Sequence, residues 1–143
     1  MAVAMLLEPF FVDANILMYA EGGEHPYKEA CARALARITE ENLPASTSAE
    51  VLQEILHRYI SLNQRGLGRL MVEDLATIVP NVFSGTKEDA LRAARLSADY
   101  PGLPSRDLVH LAVMLRYDIP AILSTDTHFD NVPLVHRIDP ADF

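Results

Sequence analysis

The sequence predicts an α/β fold, a short parallel sheet covered by helices on both faces. Three observations predict it. Short apolar runs, Pro9–Val12 and Ile119–Leu123, read as buried strands. Longer segments with apolar residues at helical spacing alternate with them, as βαβ units require. No repeat, low-complexity tract or linker divides the 143 residues, a length that fits one domain over 1–143.

The elements follow in chain order. Pro9-Phe-Phe-Val12 is a strand that ends abruptly in Asp13. Asn15 to Ala20 is a short helix stopped by Gly22-Gly23. Pro26 to Glu41 is a longer helix, with Tyr27, Ala30, Cys31, Ala34, Leu35 and Ile38 on one face. Cys31 therefore belongs to the core. Leu43 to Ser46 is extended. Thr47-Ser-Ala-Glu50 has the pattern of a capping box and opens a helix to Ile60, with Leu52, Ile55, Leu56, Tyr59 and Ile60 as its stripe. Gly66 and Gly68 punctuate before a helix over Leu67–Thr77, and Ile78-Val79-Pro80 is a short strand. Lys87 to Asp99 is an amphipathic helix with Ala90, Leu91, Ala94 and Leu96 inward. After the turn Pro101–Pro104, Ser105 caps a buried helix over Arg106–Arg116. The strand at Ile119–Leu123 runs into Ser124-Thr-Asp126, and Pro133–Val135 is the last strand.

Composition narrows the function. A single cysteine permits no intramolecular disulfide, and without a Cys/His cluster a structural zinc site has no ligands. The apolar start, Met1–Leu7, lacks a basic flank and is far shorter than the ~20 residues of a membrane span, so the expected setting is the cytoplasm with no membrane contact. Tryptophan is absent and aromatics are 7%, which excludes an extended base-stacking platform. Twelve basic against twenty acidic residues, a net charge of -8, argue at first against a nucleic-acid surface.

Where the acids sit changes that inference. Asp13 and Asp126 each end a strand, at the sheet edge where α/β folds bind ligands. Asp107 lies in the first turn of its helix, where the dipole favours a carboxylate by roughly 0.3–1 kcal/mol. Glu54 is one turn beyond Glu50. Each has a duller explanation alone: a strand-end cap, a helix-start acid, a solvated helix position, a turn former. Converging carboxylates repel, so together they make sense only with raised pKa values or a cation. Oxygen donors without thiols point to Mg²⁺ or Mn²⁺, which polarises a phosphoryl oxygen and activates water. Glu50 is accounted for by the capping box. Asp130 is a loop acid, His110 a buried hydrogen-bonded histidine, and His128 a loop histidine within reach of the site. No GxSxG, P-loop or GxGxxG is present.

These residues resemble the PIN-domain nucleases. Phe11-Val-Asp-Ala-Asn-Ile-Leu17 is similar to the first motif of that family, and Ser46 to Leu56 to the second, with Glu54 in the place of its acid. Ser105 to Ala112 resembles the third, carrying Asp107, and Ile122 to Asp130 the fourth, carrying Asp126. The likeness covers nearly the whole chain and is greatest to the VapC-type toxins of toxin–antitoxin pairs. It implies a three-layer α/β/α sandwich and an endoribonuclease with Asp13, Glu54, Asp107 and Asp126 as catalytic and metal-binding residues. It further implies an RNA substrate, a small antitoxin partner and a homodimer. Asn15 and Thr125 would orient the carboxylates, and Arg58, Arg65, Arg69 and Arg106 are candidates for RNA phosphates.

Two alternatives share the motifs: a housekeeping PIN ribonuclease of RNA processing and a non-catalytic RNA- or protein-binding module. A phosphotransferase of the haloacid dehalogenase type fits poorly, because position 15 is Asn rather than Asp and the last lysine is Lys87. The four proposed ligands account for half of the net charge. The acidity then marks a metal-dependent pocket rather than a barrier to RNA.

Overall fold

The computed structural model describes residues 8–143; the apolar start Met1–Leu7 lies outside the described residues. Among the described residues five parallel strands form one sheet: β1 (Phe10–Val12), β2 (Ala45–Ser48), β3 (Val82–Phe83), β4 (Ala121–Leu123) and β5 (His136–Ile138). Six α-helices connect them: α1 (Ala14–Glu21), α2 (Lys28–Glu40), α3 (Ala49–Ser61), α4 (Arg65–Ile78), α5 (Lys87–Asp99) and α6 (Ser105–Arg116). Short 3₁₀ turns cover Thr127–Asn131 and Pro140–Asp142. Helices α1 to α4 pack with one another and α5 packs with α6, giving the three-layer α/β/α sandwich the sequence implied.

The strand order is β3-β2-β1-β4-β5. Chain order therefore reverses between β1 and β4, where a doubly wound sheet opens a crevice at its carboxyl edge. Register is fixed by Phe10 opposite Ala121 and Val12 opposite Leu123. Phe10, Phe11, Val12, Ile122 and Leu123 are fully buried. Each large side chain so buried is worth about 1.5–3 kcal/mol, and burial on both faces demands the continuous apolar runs read from the sequence.

Helix ends are set by short polar side chains. Thr86 and Asp89 form a reciprocal capping box on α5. Three helices stop on a left-handed residue that is not glycine: Asn42 (φ 50°), Asn63 (φ 59°) and Asp118 (φ 54°). In each, the next N–H reaches back into the last turn, from Leu43 to Ile38, Gln64 to Tyr59 and Ile119 to Met114. Asn and Asp tolerate this conformation better than other side-chain-bearing residues.

Several local expectations are corrected. Thr47 does not cap α3: it lies in β2, and its hydroxyl donates to the Val12 carbonyl at 2.9 Å. Ser48 caps the helix instead, accepting from the Val51 N–H, so no capping box accounts for Glu50. Gly66 and Gly68 sit inside α4 rather than before it. A Cβ on Gly68 would lie 2.9 Å from the Cβ of Tyr59, so the glycine permits close approach of α3 and α4. Of the stretch expected as a strand at Ile78–Pro80, Ile78 ends α4, Val79 caps it and Pro80 follows outside, and β3 forms at Val82–Phe83. On α5 the inward side is Asp89, Ala93 and Leu96, while Ala90, Leu91 and Ala94 are not its buried face. The Arg116 guanidinium on α6 decides that face, gripping Asp89 with bonds of 2.9 Å to each oxygen. Pro104, not Ser105, precedes the first turn of α6. The last strand is His136–Ile138, where the backbone pairs with β4, and not Pro133–Val135. Cys31 is in the core as expected, and burial pushes its thiol up to about 11.

Candidate metal centre

Asp13 stands where β1 stops and α1 starts. One carboxylate oxygen accepts from the Ala14 N–H at 2.8 Å and so caps the helix. The other accepts from the Ser124 hydroxyl at 2.8 Å and from the Asn15 amide at 3.3 Å. Ser124 is there because it directly follows β4, the partner of β1 at the switch point. The Asn15 amide also lies 3.2 Å from the Ser124 hydroxyl oxygen, and its carbonyl oxygen accepts from the Thr125 N–H. A side-chain lattice thus ties together the ends of the two central strands.

Two groups of ligand-type side chains meet over this lattice. Asp13, Glu54 and His110 form one, and Asp107, Asp126 and His128 the other, with candidate ligand atoms in each group within 4.8 Å of one another. His110 Nε2 is 3.3 Å from Glu54 Oε1 and 3.9 Å from Asp13 Oδ1. His128 Nδ1 is 3.3 Å from Asp107 Oδ2 and 3.0 Å from Asp126 Oδ1. Asp126 also caps the Thr127–Asn131 turn through the His128 N–H. Asp107 and His110 are one turn apart on α6, so that helix serves both groups.

The electrostatics are those of crowded acids. Burial raises the Asp13 carboxyl above its ordinary range, and the Glu54 charge adds to this against the pull of His110 and the Ser124 bond. Burial and then the Asp13 carboxylate push Asp107 up to about 6, with Asp126 adding and the two histidines opposing. Burial opposes charging of His110, but the Glu54 hydrogen bond and the surrounding carboxylates outweigh it and raise its pKa. Its Nδ1 is buried with no hydrogen-bond partner among the described residues. Acids whose charge is disfavoured by burial and by one another are a site that a divalent cation would relieve. Oxygen donors with flanking imidazoles and no thiolate fit a hard or intermediate ion such as Mg²⁺ or Mn²⁺.

All four expected acids are therefore brought together. Asp130 is not: Arg137 holds it at 2.7 Å, away from the cluster. Thr125 contributes its backbone N–H rather than its hydroxyl. Arg106 binds Glu54 Oε2 at 3.2 Å, and Arg69 pairs with Glu73. Ser124, unremarked in the sequence, holds Asp13; its place at the end of an apolar strand, two residues before an acid, was the available signal. His110 and His128 both face carboxylates, which their sequence surroundings alone did not reveal.

The PIN domain family profile matches residues 10–134. The chain belongs to the PIN domain family. Relatives within it include Ribonuclease VapC13 of Mycobacterium tuberculosis, 35% identical over 127 residues, spanning 89% of this chain and 97% of the relative. Ribonuclease VapC7 of the same species is 32% identical over 135 residues, covering 91% of both chains. Among solved PIN-like structures, M. tuberculosis VapC20, a sarcin-ricin loop cleaving toxin, has a TM-score of 0.73 at 18% identity, covering 88% of this chain and 96% of that one. VapBC2 from Rickettsia felis, bound to a promoter DNA fragment, has a TM-score of 0.71 at 11% identity, covering 91% of this chain and 97% of that one. At these identities the two structures speak to the fold.

Proposed function

We propose that this chain is a metal-dependent endoribonuclease and the toxin of a toxin–antitoxin pair, with residues 1–143 as one PIN nuclease domain. The observation that carries the reading is the meeting of Asp13, Glu54, Asp107 and Asp126 from four separate elements at the switch-point crevice. The names of its VapC relatives support the same reaction class.

In this reading the four acids hold one or two Mg²⁺ or Mn²⁺ ions. Such an ion supplies Lewis-acid polarisation of the phosphodiester and a water acidic enough to attack it. The chain's own residues do the rest. Ser124 and Asn15 keep the Asp13 carboxylate aimed into the crevice. Arg106 and His110 hold opposite oxygens of Glu54 and fix its orientation. His128 sits between Asp107 and Asp126, positioned to exchange a proton at Nδ1. No side-chain nucleophile is needed. The partners proposed are RNA as substrate, a small antitoxin and a second copy of the chain, in the cytoplasm. Among the described residues, no helix is long and apolar enough to cross a membrane.

The test is RNA cleavage by the purified protein with Mg²⁺ or Mn²⁺, with chelator, and by Asp13→Asn. Cleavage is expected only with metal and the intact acid. Cleavage that persists in chelator or in the variant defeats the metal reading. Failure to cut any structured RNA favours the non-catalytic module. Growth arrest on expression, relieved by the product of a neighbouring small gene, separates a toxin from a housekeeping enzyme.

A further inference from the structure

Beside the acidic centre lies a groove of about 330 Å³, between α1, the loop after it and α3. Asn15, Tyr19, Gly22, His25, Arg58 and Leu62 are among its walls. Asn15 belongs to both places, since its amide holds Asp13. Arg58 lies four residues beyond Glu54 on α3, about 6 Å along the axis, so one helix face leads from the acids into the groove. No side chain fills the turn at Gly22, where a Cβ would sit 2.5 Å from the Met18 carbonyl oxygen.

The aromatic content of this corner is unusual for a chain with few aromatics. The rings of Tyr19 and His25 stack with centroids 4.0 Å apart and planes 19° from parallel. Tyr27 lies 5.8 Å from Tyr19 and 6.0 Å from His25, its plane within 28° of both. Tyr19 and Tyr27 are half-buried, and His25 is the exposed member of the stack. Arg58 is exposed and has no ion pair among the described residues, while Glu24 adds one negative charge to the same wall. Charges of both signs make poor grip for a polyanion by themselves. Ring faces supply the binding instead, and every base has a face to offer.

We propose that this groove is a nucleobase subsite. It takes one unstacked base of single-stranded RNA next to the phosphate at the acidic centre. The base stacks on His25, and Arg58 meets the adjoining phosphate. The inference rests on the ribonuclease reading above.

The test is fluorescence anisotropy with a short fluorescein-labelled single-stranded RNA of mixed sequence, in Mg²⁺. All proteins carry Asp126→Asn so that the probe stays intact. His25→Ala is expected to weaken binding roughly 5- to 140-fold, the range of one base–aromatic stack. His25→Phe, which keeps a ring, restores most of it, and Arg58→Ala steepens the loss. Leu91→Ala, exposed on α5, is the control. His25 also accepts the Tyr27 N–H at Nδ1, 3.1 Å away, so circular dichroism and melting of each variant accompany the binding data, and the comparison is made below the lowest melting temperature of the set. Unchanged affinity in both His25→Ala and Arg58→Ala overturns the subsite. Cleavage by the protein with Asp126 intact, measured in parallel, keeps that failure distinct from failure of the ribonuclease reading.

Discussion

Asp107→Asn should make the metal-free protein more stable while removing its activity. In the fold this carboxyl titrates near 6 rather than 3.8, chiefly because it is buried and secondly because the Asp13 carboxylate is close. A raised folded-state value means the protonated form favours folding. That stability is complete below 3.8 and is lost as the pH rises through about 6. A tenfold change in proton affinity on folding corresponds to about 1.36 kcal/mol, so ionisation at pH 7 costs at most about 3 kcal/mol. The side chain keeps 10% exposure, and Asn gives up part of the contact with His128, so a gain of about 2 kcal/mol is expected. At this chain length that corresponds to a rise in Tm of roughly 5–8 °C. The assay is thermal and urea unfolding of both proteins in EDTA at pH 7, repeated at steps down toward pH 4. The gain should shrink as the pH falls, because the wild-type carboxyl becomes neutral. Added Mg²⁺ should raise the wild type more than the variant, since ligand binding stabilises only the form that holds it. A variant no more stable than wild type in EDTA at pH 7, or a gain independent of pH, would refute the account of a strained acid cluster.

The remaining predictions concern the lattice and the packing. Ser124→Ala removes the hydroxyl that donates to Asp13 at 2.8 Å, and should lower metal affinity or activity by roughly 10- to 100-fold; isothermal titration with Mn²⁺ and RNA cleavage read this directly. Gly68→Ala drives a Cβ to 2.9 Å from that of Tyr59, so overpacking of about 1–3 kcal/mol outweighs a helix-propensity gain of about 1 kcal/mol. Urea unfolding should show a net loss, and a stabilised variant would mean that α4 shifts freely.

The apolar runs at Phe10–Val12 and Ala121–Leu123 were legible because buried parallel strands need both faces apolar, a demand met by consecutive residues. The bounds of α5, Lys87–Asp99, were legible for a similar reason, since Thr86 and Asp89 cap it within one turn. Its buried face was not legible. Asp89 turns inward only because Arg116, on another helix, neutralises it. The capping box placed at Thr47 failed in the same way, because the Thr47 hydroxyl bonds to the carbonyl of Val12 in the neighbouring strand.

The candidate site divides along the same line. Sequence alone placed Asp13, Glu54, Asp107 and Asp126 at ends or early turns of their elements, where strand termination and the helix dipole put carboxylates at an edge. It could also separate Asp130 as a loop acid, since nothing local aimed it at the others. Only the tertiary structure decided that β1 and β4 are neighbours, and so that Ser124 holds Asp13. Only it turned His110 and His128 toward the carboxylates, raised Asp107 to about 6, and set Tyr19, His25 and Arg58 around one groove. The physical reason is range. Burial patterns, caps and dipoles act over a few residues and are written in adjacent letters. Charge repulsion, desolvation and ring stacking act through space between segments that only the assembled sheet brings together.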